Sequence, residues 1–122
     1  MENVQFITYK NVELLVIDFT STKSVAEFLN VIDEAKTIIA SRPLNSLLTL
    51  TDVTNSYFDS DIISAMKEYA AHNKPYIKAG AVVGISGARK IIFNSVLFFS
   101  GRDNLKMFDT RNHAMEWLCA YK

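Results

Sequence analysis

The sequence predicts an α/β fold, with a mixed, mostly parallel five-stranded sheet and four helices in the order β-β-α-β-α-β-α-β-α. Three features lead to that reading. Two strand-like runs at the start are separated only by Lys10-Asn11, a pair suited to a hairpin turn. Strand-like and helix-like segments then alternate, which implies parallel strands joined by right-handed crossovers. The run Leu14-Leu15-Val16-Ile17 is continuously apolar, as in a strand covered on both faces.

Val4 to Thr8 and Val12 to Phe19 form the predicted hairpin. Ser24-Val25-Ala26-Glu27 matches a capping box and opens a helix. Val25, Phe28, Leu29, Ile32, Ala35 and Ile39 follow at helical spacing, and Pro43 marks the end. Leu47 to Leu50 is the third strand, and Asp59 or Ser60 caps a second helix bearing Ile62, Ile63, Met66, Tyr69 and Ala70 on one stripe. Ala81 to Ile85 is the fourth strand, and Gly87 leads into a third helix from Ala88 to about Ser100. Leu105 to Phe108 closes the sheet, and Asp109 or Thr110 caps a last helix holding Ala114, Trp117 and Leu118. The hairpin strand is expected at an edge.

The 122 residues fit one domain, and 49% hydrophobic residues supply a core of ordinary size. Thirteen basic residues balance thirteen acidic ones, so no broad positive field favours nucleic acid. Cys119 is the only cysteine, which suits a reducing compartment. Met1-Glu2-Asn3-Val4-Gln5 does not read as a secretory leader, and no apolar run reaches the ~18 residues of a membrane span. A cytoplasmic protein is expected.

Several segments together resemble the SpoIIAA-like proteins of the STAS superfamily, which includes anti-sigma-factor antagonists and transporter C-terminal domains. They are Asp52-Val53-Thr54, Phe58-Asp59-Ser60, Ala81-Val82-Val83-Gly84-Ile85-Ser86-Gly87, and Met107-Phe108-Asp109-Thr110 with Ala114 and Trp117-Leu118 behind it. The ordered set spans essentially the whole chain. The resemblance implies a regulatory domain acting through protein contacts, with Ser60 at the position of the antagonists' phosphorylated serine. Asp59 and Ser60 match that Asp-Ser-Ser-Gly-like loop; Asp61 and Ile62 replace its second serine and its glycine. Sec14-type lipid binders are sometimes grouped with the same fold, which implies an apolar pocket as the alternative.

At Ser60, a phosphoryl group would meet the free amides of a helix N-terminus. Asp59 and Asp61 would repel it, and a simple cap formed by Asp59 or Ser60 is the plainer reading. Ser86, Gly87, Arg89 and Lys90 form a strand-to-helix turn able to hold an anion, or simply a tight turn that needs glycine. Asp18, Asp52 and Asp109 each follow a predicted strand, where parallel sheets line their crevices. They lack ligand-like spacing, so no metal is expected. His72 and His113 lack partners at ligand spacing, and no catalytic constellation or cofactor motif is evident.

The third helix is predicted to lay Ala88, Ile91, Ile92, Val96, Phe98 and Phe99 on the sheet. Phe93 and Leu97, spaced i, i+4, fall away from that face. They serve either a neighbouring helix or a second surface, such as a symmetric homodimer interface. The expected function is therefore a non-enzymatic regulatory or interaction domain. The alternative is a carrier or sensor of a small apolar or anionic ligand.

Overall fold

The computed structural model describes residues 3–100 and 104–121, with side chains for 3–96 and 104–121. The predicted order of elements is observed. It runs β1 (Val4–Tyr9), β2 (Val12–Asp18), α1 (Val25–Ala40), β3 (Leu47–Asp52), α2 (Ser60–Asn73), β4 (Ile77–Val83), α3 (Ala88–Ser100), β5 (Leu105–Phe108) and α4 (Arg111–Cys119).

Local chemistry explains most of the boundaries. Lys10 and Asn11 both take positive φ, 50° and 67°, so the hairpin closes with the turn twist that suits adjoining antiparallel strands. Ser24 caps α1 by accepting from the Glu27 amide, while the Glu27 carboxylate accepts from the Lys23 amide. Asp59 caps α2 and Thr110 caps α4. β4 begins four residues before the predicted Ala81. Lys78 sits at a register break, where Leu47 pairs Ile77 but Leu48 pairs Ala79, and this break hides the strand's alternation.

The strands lie in the order β1-β2-β3-β4-β5, with β1 antiparallel to β2 and the other pairs parallel. Each parallel crossover moves one place in the same direction. Right-handed connections of that kind must all pass over the same face. Accordingly, α1, α2 and α3 share one apolar core, with Phe28, Ile32, Ile39, Ile62, Tyr69 and Phe93 packed on Leu15, Ile17 and Val82. The opposite face carries Leu14, Val16, Leu48, Leu50, Ala79 and Ala81, covered by Ala114 and Leu118 of α4. β2, β3 and β4 are thus covered on both sides, although β3 presents Thr49 and Thr51 to the three-helix face; β2 is apolar on both, which accounts for the unbroken run Leu14–Ile17.

α3 is rotated relative to its predicted face. Ile91, expected against the sheet, is 75% exposed, whereas Phe93, expected to turn away, is 6% exposed and inside the shared core. The cause is α2, which packs along α3, so the buried stripe faces the space between helix and sheet. The side chains of Leu97, Phe98 and Phe99 lie outside the described residues.

Two glycines make contrasting demands. Gly84 leaves β4 with φ +93°, and a Cβ there would lie 2.1 Å from the Thr54 hydroxyl oxygen and 2.6 Å from the Thr54 amide nitrogen. Gly87 has φ +58° but no neighbour within 4 Å of such a Cβ. We therefore expect Gly84→Ala to cost roughly 3 kcal/mol, combining backbone strain with overpacking. Gly87→Ala should cost only about 1 kcal/mol. Urea denaturation of both variants checks the order; equal losses would show that the approach of Thr54 to Gly84 is not constraining.

Candidate functional site

The carboxyl ends of β2, β3 and β4 bring most of the candidate residues to one end of the sheet. Asp18 and Asp52 stand side by side in register. Each is followed by the same local device. One oxygen of Asp18 accepts from the Thr20 amide (2.8 Å) and hydroxyl (2.6 Å), and one oxygen of Asp52 accepts from the Thr54 amide (3.0 Å) and hydroxyl (2.6 Å). Asp-x-Thr thus ends two neighbouring strands as an Asx-type turn.

The second oxygen of each carboxylate faces Arg111, the first residue of α4. Its Nε donates to Asp52 at 2.7 Å and a terminal nitrogen to Asp18 at 3.4 Å. Arg111 is the functional residue that the sequence reading missed. It lies 59 positions from Asp52, so no local pattern announces the contact. Burial opposes ionisation of Asp52. The Thr54 hydroxyl and amide together with Arg111 outweigh it, holding the carboxyl below its ordinary range. Asp109 does not join this group; it borders an open groove with Lys90 and His113. Among the described residues there is no cluster of three or more metal-ligating side chains.

The loop between β3 and α2 is stitched inward. The Tyr57 amide donates to the Thr22 carbonyl (3.2 Å), and Ser56 is buried. Asp59 accepts from the Ile62 amide (3.0 Å) and from the Tyr57 hydroxyl (2.7 Å). These two bonds, the amide first, lower the Asp59 carboxyl below its ordinary range. Asp59 is therefore the cap, and Ser60 is the exposed first residue of the helix.

The turn at Ser86, Gly87, Arg89 and Lys90 divides its two cations. Arg89 leans back onto the loop before α2, with its guanidinium 4.7 Å from the Phe58 ring centre and a nitrogen 3.4 Å from the Ser56 carbonyl oxygen. Lys90 points away into the groove of about 390 Å³ beside Asp109 and His113. Ser86 and Gly87 are exposed between them. Beneath Arg89, residues including Phe28, Val53, Met66 and Phe93 enclose an apolar void of about 30 Å³. A second void of about 40 Å³ lies between α2, α3 and the sheet. Each has room for about one water, against the ~300–1,000 Å³ of a ligand pocket.

Because Asp52 ionises more readily in the fold than in the unfolded chain, its stabilising contribution is complete above about pH 4. That contribution is lost as pH falls through its depressed folded value. Arg111→Met should cost about 1–2 kcal/mol at pH 7, the lower part of the range for charge-assisted bonds because Arg111 is 42% exposed. The variant should also unfold at higher pH during acid titration, and its deficit should shrink on acidification. Coincident acid transitions for the two proteins would remove Arg111 as the cause of the Asp52 shift.

No protein-family model, no curated protein and no solved structure matches the chain.

Proposed function

We propose that this chain is a non-enzymatic interaction domain of regulatory type, whose working surface joins the loop before α2 to the first turn of α3. The observation that carries this reading is the bridge made by Arg89 to Ser56 and Phe58. It couples two segments 33 positions apart into one surface. Around that bridge Ser60, Asp61 and Ser86 are exposed, with Lys90 at the rim, while exposed Ile91 stands about 200° around α3 from Arg89, on the far side of the helix. A patch in which an arginine stacks on an aromatic ring among exposed polar neighbours suits a protein partner, because both residue types are enriched at interfaces. The resemblance to SpoIIAA-like proteins supports the same end of the fold, and it makes exposed Ser60 the place where a phosphoryl group would alter the contact.

The sizes of the two voids weigh against an enclosed lipid-like ligand, which needs roughly ten times the space of either. The strand-end carboxylates likewise have a structural use, since Arg111 and two threonines engage them.

Native mass spectrometry combined with site-specific photocrosslinking tests the proposal. Photoreactive residues at Ser60 and Ser86 should crosslink to a protein in cells of the source organism, and one at Lys78, at the other end of the sheet, should not. Purified protein should carry no small molecule. A retained small molecule, lost when Phe93 is replaced by Ala, would overturn the proposal in favour of a carrier.

A further inference from the structure

At the amino ends of β4 and β5, on the face covered by α4, lies a groove of about 380 Å³. Three elements build it. β4 supplies Lys78 and Ala79, β5 supplies Lys106, and α4 and the residues just after it supply Trp117 and Tyr121. Its size falls within the ~300–1,000 Å³ of small-molecule sites, unlike the two voids under the other helices.

The register break in β4 shapes the floor. Ile77 faces the three helices, so strict alternation would put Lys78 on the α4 face and return Ala79 to the helices. The break instead leaves Ala79 on the α4 face as well, so a cation and a small apolar residue stand side by side in the groove. On β5, Leu105 and Met107 pack toward the three helices, and Lys106 between them points to α4. Both lysines are exposed, and neither makes an ion pair among the described residues. No described carboxylate lines the groove. Lys106 instead rests 5.6 Å from the Phe108 ring centre and 6.0 Å from that of Trp117, at the outer limit of a cation–π contact and easily given up for an anion.

The aromatic wall is ordered. Trp117 and Tyr121, spaced i, i+4, have ring centres 5.0 Å apart and planes inclined at 66°. Phe108 packs against Trp117 at 5.4 Å, while Tyr121 stays exposed. Rings set at that angle form a corner in which a flat ligand stacks on one and meets the edge of the other.

We propose that this groove binds a mononucleotide, its base stacked in the corner of Trp117 and Tyr121 and its phosphate held by Lys78 and Lys106. A phosphate monoester carries nearly two negative charges at neutral pH, which suits two ammonium groups better than a single carboxylate would. Two lysines neutralise one phosphate and not the backbone of a strand, in keeping with the balanced charge of the chain. An open groove of this kind exchanges its ligand quickly, so the nucleotide leaves during purification.

Trp117 is the only tryptophan, so its fluorescence reports on this groove alone. Adenosine 5′-monophosphate should quench it with a dissociation constant of about 0.1–1 mM. Adenosine and ribose 5-phosphate, each carrying half of the ligand, should bind about tenfold more weakly or worse. Lys78→Gln and Lys106→Gln should each weaken the nucleotide about tenfold through one lost charge-assisted bond, with circular dichroism unchanged. Tyr121→Ala should have a similar effect through lost stacking. No quenching by the nucleotide at about 10 mM would overturn the proposal. So would equal affinity for adenosine, or a response indifferent to all three substitutions. A short oligoadenylate that binds more tightly per nucleotide would overturn the single-nucleotide site in favour of a strand. None of these substitutions touches the surface around Arg89 at the carboxyl ends of the strands, so this site and the proposed partner surface can fail separately.

Discussion

Right-handed crossovers and a strand order that never reverses govern this molecule. With β2 to β5 laid down in sequence, three helices are forced onto one face of the sheet. Open sheets that reverse their order acquire a crevice at the reversal, and ligands bind there. Here the parallel strands offer no such reversal, and the strand ends must be closed by side chains instead. That explains why Asp18 and Asp52, placed where a binding crevice would need them, are held by threonines and an arginine.

The same constraint leaves the second face to α4 alone. A nine-residue helix is too short to be stable by itself, so it depends on what holds it. Arg111 fastens its first turn to the two aspartates. Further along, Glu116 accepts from the Tyr9 hydroxyl at 2.7 Å and pairs with Lys10. Between these points, Ala79 and Ala81 let the helix approach the sheet closely. The chain from Gly84 through Thr54 and Asp52 to Arg111 therefore links the end of β4, the loop leading to α2 and the start of α4. The links are the 2.6 Å bond from Thr54 to Asp52, the 2.7 Å bond from Arg111 to Asp52, and a backbone approach at Gly84 too close for any Cβ beside Thr54.

The chain presents two surfaces of different character, one at that end of the sheet and one along its β1 edge. The patch around Arg89 is built from loops and a helix start, with mixed charge and the Phe58 ring stacked against its arginine. The β1 edge offers backbone groups in a fixed array. Loops permit adaptable, switchable contacts, whereas an edge strand permits a permanent one. The two surfaces do not compete, because they lie at different parts of the sheet.

The amino-acid sequence alone determined everything that depends on neighbours a few residues apart. The hairpin at Lys10-Asn11, the cap at Ser24, the strand run Leu14–Ile17 and the order of elements are all of this kind, and all were legible. Their causes are turn dihedrals, capping bonds and periodicity, which act within about one turn of helix or one hairpin. Asp59 and Ser60 were legible as alternative caps, and the structure gives the role to Asp59, which accepts from the Ile62 amide. Only the tertiary structure decided which face α3 buries, because the direction of Phe93 is set by α2 rather than by its own helix. It also decided the partners of the strand-end carboxylates. Arg111 reaches Asp52 and Asp18 across 59 and 93 positions of chain, and spacing in the sequence carries no record of a contact made by sheet order and helix docking.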